Sequence, residues 1–238
     1  MSVYDAIIVG SGPNGLSAAI TLLEQGRSVL VIEGKDTPGG GLRSAETTLP
    51  GFTHDICSAI HPLGMASPFF RSQSLAEHGL RWILPPAQVA HPLDDGSAVI
   101  FERSLDATAA SMGRDAAAYR RLIGPHVGNW KNLIDQMLGP LRFPRRTLRL
   151  ALFGLPSLLP ATMLARLAFR GERARAAFAG MAAHSMLALE TPISGAFGMM
   201  MSTMAHAVGY PMAEGSSQAI ANPLAARGRA RRCCARRA

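Results

Sequence analysis

Apolar and polar positions alternate along this chain in two regimes, first with a strand-like and then with a helical period. Val3 to Val9 is a largely apolar run that predicts a strand. It enters Gly10-Ser11-Gly12-Pro13-Asn14-Gly15, and a helical pattern follows as far as Gly26, where a C-terminal cap is expected. A second apolar run, Val29 to Ile32, ends in Glu33. Thr47 to Pro68 reads as irregular, with turns at Pro50-Gly51 and Pro62, and Leu75 to Gly79 suggests a short helix. Trp82 to Phe101 holds strand-like pieces around Asp94-Asp95-Gly96, a hairpin turn. From Leu105 to about Leu138 the period is helical, with Ser104 to Asp106 able to start the helix. From Asp115 to Leu138 the apolar positions share one face, with Arg and Lys on the other. Residues 147–208 predict Ala-, Leu- and Met-rich helices broken by Pro156, Pro160 and Pro192.

The first segment has the order strand, glycine loop, helix, strand, acid, and each part has a physical role. Gly10 permits the tight turn out of the strand, Gly12 lets a pyrophosphate approach the backbone, and Gly15 allows close helix–sheet packing. Ala19 continues that close contact one turn on. Pro13 suits the first helical turn, where an amide donor is not needed. The free amides and the helix dipole at this end attract a diphosphate, with Ser11 and Asn14 completing the loop. Glu33 stands where a carboxylate accepts hydrogen bonds from a ribose. Three glycines alone are a weak signal; the agreement of all five parts is the context that makes it specific.

That fingerprint leaves nicotinamide and flavin dinucleotides both open. A second glycine cluster follows in Gly34-Lys35-Asp36-Thr37-Pro38-Gly39-Gly40-Gly41-Leu42-Arg43-Ser44. From the residues alone it reads either as a second backbone approach to a cofactor or as an ordinary glycine-rich turn. The pairing of VGSGPNGLSAA with PGGGLRSAETTLPGFTHDICSAIHPL resembles the FAD-dependent amine-oxidase and phytoene-desaturase superfamily. Within it the chain is most similar to bacterial NAD(P)/FAD-dependent oxidoreductases, relatives of carotenoid desaturases and of pyridine nucleotide-disulfide oxidoreductase domain-containing protein 2. The resemblance continues through Leu75–Trp82, Gly171–Met186 and Ala213–Asn222, and covers nearly all of residues 1–224.

The resemblance implies an α/β fold: a Rossmann-like FAD/NAD(P)-binding βαβ unit carrying an inserted, mostly helical substrate domain, with an incomplete C-terminal part. It implies a dinucleotide-binding segment at residues 1–68, an inserted substrate or cap domain at 69–212, the start of a return at 213–226, and an aberrant Arg-rich tail at 227–238. FAD is the implied cofactor, held by Gly10, Ser11, Gly12, Pro13, Asn14 and Gly15, with Glu33 on the adenosine ribose. Gly40, Gly41, Leu42 and Arg43 would run along the phosphates towards the flavin. Many relatives place arginine directly after the glycine pair; here Gly41 and Leu42 intervene, which puts the role of Arg43 in doubt. The implied activity is hydride transfer from a small apolar substrate to flavin, with peripheral membrane contact familiar from carotenoid desaturases. An NAD(P)-binding reductase and a catalytically inactive fragment are the alternatives.

Other chemistry is sparse. His54, Asp55, Cys57 and His61 match no zinc spacing and read as turn and packing residues beside the cofactor, with Cys57 a buried small residue. His184, His206 and Glu190 lie in the apolar helical region and read as satisfied core groups. Met199, Met200, Met201 and Met204 read as core or as the lining of an apolar cavity. No catalytic acid or base stands out, which suits chemistry carried by a cofactor.

Composition adds three points. With 48% hydrophobic residues the chain can build a substantial core, and three cysteines make no disulfide framework. No N-terminal pattern reads as a secretory leader, and Leu148 to Phe169, the nearest approach to a membrane span, is interrupted by Arg149, Pro156, Pro160 and Arg166. A cytoplasmic setting is therefore expected. The formal charge of +8 includes Arg227, Arg229, Arg231, Arg232, Arg236 and Arg237; without these six it is +2, so no nucleic-acid face is expected. This ARGRARRCCARRA stretch lacks periodicity and predicts no packed element. It reads as the product of a frame shift or a misplaced gene end, or as a genuine basic tail, and leaves the flavin site without its returning strands, so that flavin binding by the chain alone is expected to be weak or absent.

Overall fold

The computed structural model describes residues 3–140, 147–230 and 234–237. In chain order the elements are β1 (Ala6–Val9), α1 (Pro13–Glu24), β2 (Val29–Glu33), β3 (Ser44–Glu46), β4 (Thr53–Asp55), α2 (Pro62–Ala66), α3 (Pro68–Ser72), β5 (Trp82–Ile83), β6 (Ala87–Pro92) and β7 (Ala98–Glu102). They continue with α4 (Leu105–Ser111), α5 (Ala116–Val127), α6 (Trp130–Met137), α7 (Thr147–Ser157), α8 (Ala161–Ala168), α9 (Glu172–Ala183), α10 (Ser194–Ala207), β8 (Met212–Ala213), α11 (Gln218–Ala230) and β9 (Cys234–Arg237). Two compact units result, one of Met1–His61, Phe69–Ile83 and Met212–Ala238, the other of Pro62–Pro68 and Leu84–Pro211.

The first unit is built on the βαβ segment. β1 and β2 pair in parallel, Ala6 opposite Val29 and Val9 opposite Ile32. Val29 and Val31 alternate inward against Ala19, as period-two burial requires. α1 buries Leu16, Ala19 and Ile20, an i, i+3, i+4 stripe, and ends as expected: Gly26 is left-handed (φ +76°) and Arg27 N–H returns to the Leu22 carbonyl. Leu16 and Ile20 also share a cluster with Leu224, Ile220 and Ala221 of α11 and with Leu75 and Leu80. On the other face of the sheet Ile7 and Val9 are 60% and 84% exposed.

Two expectations need correcting here. Residues 69–83, grouped by pattern with the helical insert, lie in the first unit, because Leu75 and Leu80 pack on α11 and β5 pairs antiparallel with β8. Part of the Arg-rich end does form a strand: β9 adds to β2 in parallel, Leu30 opposite Cys234 and Glu33 opposite Arg237, giving the order β1-β2-β9. Edge addition is held by main-chain hydrogen bonds, which side-chain periodicity does not encode. Residues 231–233 and 238 of that stretch lie outside the described residues.

The second unit packs α4–α10 against the β6–β7 hairpin. The hairpin turn is the Asp94-Asp95-Gly96 one: Gly96 is left-handed (φ +79°), and Asp95 Oδ1 accepts from the Ser97 amide and hydroxyl. Ser104 caps α4 through Ala107 N–H at 3.2 Å. The long helical stretch to Leu138 is three helices rather than one, interrupted at left-handed Gly113 and again between Val127 and Trp130. Pro156 lies in the last turn of α7 and does not break it. α10 is buried on nearly all sides, so Met199, Met200, Met201 and Met204 are core. Gly198 lets α10 approach Phe178 of α9, where an added Cβ would lie 2.6 Å from the ring. His206 donates Nδ1–H to the Glu102 carbonyl and accepts from the Tyr119 hydroxyl at 2.7 Å, so this histidine is indeed buried and satisfied. His184 and Glu190 are exposed instead, near or beyond the end of α9. No single helix among the described residues is long and apolar enough to cross a membrane; α7 and α8 are together apolar enough but bend by 110°.

Candidate functional site

The glycine loop sits at the carboxyl end of β1, where Gly10 N–H still reaches the Ile32 carbonyl at 2.7 Å. Gly10 is left-handed (φ +94°), turning the chain out of the sheet. Gly12 is the N-cap of α1, which has no side-chain cap and no acidic residue in its first turn. Pro13 is the first helical residue, Asn14 is exposed, and the first-turn amides have no intrahelical acceptor. Gly15 is obligatory: a Cβ there would lie 2.1 Å from the Gly10 carbonyl oxygen.

Ser11 and Glu33 close this loop onto the end of β2. The Ser11 amide and hydroxyl both donate to Glu33 Oε2, at 2.8 and 2.5 Å, and the Lys35 amide donates to Oε1 at 2.9 Å. The Ser11 hydroxyl and then its amide hold the carboxyl below its ordinary pKa.

The second glycine cluster packs directly on the first. The Gly39 amide donates to the Ser11 carbonyl at 2.9 Å. Gly40 is left-handed (φ +55°), and a Cβ there would stand 2.8 Å from Gly12 Cα. This contact separates the cluster from an ordinary surface turn, since two backbones meet where no side chain fits. Gly41 faces Cys57, Leu42 is buried in the core with Ile220 and Leu224, and Arg43 folds back so that Nε donates to the Gly40 carbonyl at 3.2 Å.

Sequence reasoning missed the network that fixes this cluster to α11. Asp55 Oδ1 accepts from the Ser44 hydroxyl at 2.6 Å and the Ser217 amide at 2.8 Å. The Ser217 hydroxyl donates to the Ser58 carbonyl, so it accepts from His61 Nε2–H at 2.7 Å. Gln218 donates through Nε2 to the Pro38 carbonyl and through its amide to Ser44 Oγ. Burial raises the Asp55 pKa, but the hydrogen bonds from Ser44 and Ser217 outweigh it and the net direction is down. Burial keeps His61 below its ordinary value despite the opposing pull of Asp55, so its imidazole is neutral near pH 7. Small polar residues at a helix start (Gly215-Ser216-Ser217-Gln218) were the only sequence signal, and they name no partner 162 residues away. His54 is exposed and bonded to Thr48. Cys57, expected to be buried, is a free exposed thiol. Its apolar neighbours Ile56 and Ile60 are themselves exposed, so local hydrophobicity misled. Among the described residues no three His, Cys, Asp or Glu converge as metal ligands.

A parallel βαβ unit with an uncapped, glycine-lined helix start and an acid ending the second strand defines a dinucleotide-binding protein of the Rossmann type. Comparison with known proteins agrees: residues 8–72 match the NAD(P)-binding Rossmann-like domain. Among curated proteins the chain is 32% identical over 137 residues to a hydroxyneurosporene desaturase of Rhodobacter capsulatus, covering 55% of this chain and 27% of that protein. It is 26% identical over 143 residues to a limonene dehydrogenase polypeptide of Castellaniella defragrans, covering 58% and 25%. An oxidoreductase structure from Methanosarcina mazei superposes with a TM-score of 0.64 at 16% identity, over 98% of this chain and 50% of that one, which shows the shared fold. The chain thus spans about a quarter of the length of these curated relatives.

Proposed function

We propose that this chain carries the FAD-binding portion of an oxidoreductase of the phytoene-desaturase and amine-oxidase type, one that takes hydride from an apolar substrate. The observation that carries the reading is the backbone contact of Gly40 on Gly12. A simple nicotinamide site needs only the first loop, whereas here a second glycine segment extends the same bare-backbone surface. The residues fit the group: Gly10 and Gly12 leave open space that side chains would fill, Gly15 lets α1 close on the Gly10 carbonyl, and the first-turn amides of α1 would point a positive dipole at a diphosphate. Glu33 would meet the adenosine ribose, and Gly40, Gly41, Leu42 and Arg43 would extend the site towards the isoalloxazine. The chemistry that FAD supplies when bound is hydride acceptance. This chain's residues bind and orient it.

The apolar substrate class rests on the relatives, whose names are those of enzymes acting on hydroxyneurosporene and limonene, both hydrocarbon-rich. Peripheral membrane contact is the matching partner reading. Leu148, Leu152 and Leu155 repeat at helical spacing on α7 and are each more than half exposed, as are Leu158 and Leu167. Titration of the purified chain with FAD, FMN and NADPH, followed by flavin or nicotinamide fluorescence, tests the central reading. Saturable FAD binding that FMN does not match supports it, because the first loop recognises the adenylate half. NADPH binding without FAD binding would establish the reductase alternative, which the description of the matched family makes the second reading.

A further inference from the structure

A cavity of about 440 Å³ lies among α5, α6 and α7 of the second unit. Leu133, Leu150 and Leu152 make its wall apolar, while His126 and Arg149 are polar groups on it. A second cavity of about 320 Å³ shares Pro125, His126 and Leu152 with the first and ends at exposed Arg121. Among the described residues neither lining contains an Asp or Glu. Arg149 donates one N–H to Asn129 Oδ1 at 3.0 Å, and the planar guanidinium has five donors in all. His126 is only 7% exposed, edge-on to Phe153 with ring centroids 5.3 Å apart, and burial holds its pKa below the ordinary value, so it adds a polar edge without charge. Gln136 turns its Nε2 to the Asn132 carbonyl, so it brings no charge to the wall either.

Among the described residues Arg149 is the one charged group on this cavity wall, which is otherwise a mixture of apolar side chains and the uncharged His126, Asn129 and Gln136; that matches a monoanion with a hydrocarbon body. A planar fork suits a carboxylate, and a dianionic phosphate would call for a second cation beside the first. A volume of this size is in the range of small-ligand sites. We infer that the α5–α6–α7 cavity binds an aliphatic monocarboxylic acid, its carboxylate on Arg149 and its chain along Leu150, Leu152 and Pro125 towards the second cavity. Nothing in the dinucleotide loop is needed for this, so the site stands or falls separately from the FAD reading.

The test is calorimetric titration of the full chain with dodecanoate below its micelle concentration, with 1-dodecanol as the uncharged probe. Expected are one saturable dodecanoate site, about tenfold weaker binding in Arg149→Gln, and unchanged dodecanol binding in that variant. Arg121→Gln should leave dodecanoate affinity unchanged. Leu152→Trp, at a half-exposed position lining both cavities, should weaken both probes. Absence of saturable binding would overturn the inference. So would equal dodecanoate affinity in Arg149→Gln, a loss in Arg121→Gln as large as in Arg149→Gln, or indifference to Leu152→Trp, which would mark adsorption to the exposed leucines.

Discussion

Replacing Gly15 by alanine tests whether the glycine loop is held by close approach or merely tolerates small residues. In a helix the substitution should stabilise by up to about 1 kcal/mol through propensity. Here the added Cβ would sit 2.1 Å from the Gly10 carbonyl oxygen, with the carbonyl carbon at 3.2 Å and Ile8 Cγ2 at 3.4 Å. Relief needs a shift of about 1 Å between two backbones, neither of which is free. Gly10 N–H is tied to the Ile32 carbonyl, and α1 is fixed to the sheet through Ala19 and to α11 through Leu16 and Ile20. Overpacking of this kind costs about 1–3 kcal/mol, and against backbone it falls at the upper end, so a net loss of about 1–2 kcal/mol is expected. The same shift pulls the first-turn amides off a bound diphosphate. Loss of one charge-assisted hydrogen bond lowers FAD affinity by about tenfold or more. Urea unfolding by circular dichroism, amide exchange over residues 6–33 and FAD titration read both effects. Gly34→Ala is the control: a Cβ there meets nothing within 4 Å, and the residue is not left-handed, so its effect should stay within about 0.5 kcal/mol. Gly15→Ala matching that control in stability and affinity would refute the reasoning.

Three further outcomes are expected. Glu33 is held deprotonated by the Ser11 hydroxyl and amide, so its contribution to the loop is complete above the reference value of 4.5 and is lost as pH falls through the lower folded value; Glu33→Gln should remove this acid-sensitive part of the amide protection at Ser11, and an unchanged protection profile would contradict it. Tyr119→Phe strips the donor from buried His206 Nε2, whose other nitrogen is committed to the Glu102 carbonyl, and should cost about 1–3 kcal/mol in urea unfolding; a cost below about 0.5 kcal/mol would show that Nε2 finds another donor. Leu155→Glu, on the exposed side of α7, should reduce flotation with anionic vesicles while leaving FAD binding intact, and unaltered flotation would dismiss the membrane reading.

The features legible in the sequence are the local ones. Strand, loop, helix and strand from Ala6 to Glu33 follow from periodicity and from glycines whose φ or crowding admits nothing else, as at Gly10 and Gly15. The β6–β7 turn and the Ser104 cap are equally local. The pairing of Asp55 with Ser217 and of Gln218 with Pro38 was not legible, because short polar side chains have many partners in reach and only the folded packing of α11 selects one. β9 escaped notice for a related reason: its hold on β2 is main-chain pairing, and Cys-Ala-Arg-Arg carries no alternation to announce it. The single helical period from Leu105 to Leu138 hid two breaks: left-handed Gly113 ends a helix without disturbing the spacing of apolar residues around it, and the second break, between Val127 and Trp130, is only two residues long.

The central claim is that the two glycine segments form one FAD-binding surface where Gly40 rests on Gly12. FAD titration of the wild-type chain beside Gly40→Ala tests it most directly, because the added Cβ would press on Gly12 Cα at 2.8 Å and open that contact. The account predicts weak but saturable FAD binding by the wild type and an affinity about tenfold lower in Gly40→Ala, with the helical unit's unfolding unchanged. FAD binding of equal strength in both proteins, or NADPH binding with none of FAD, would contradict it.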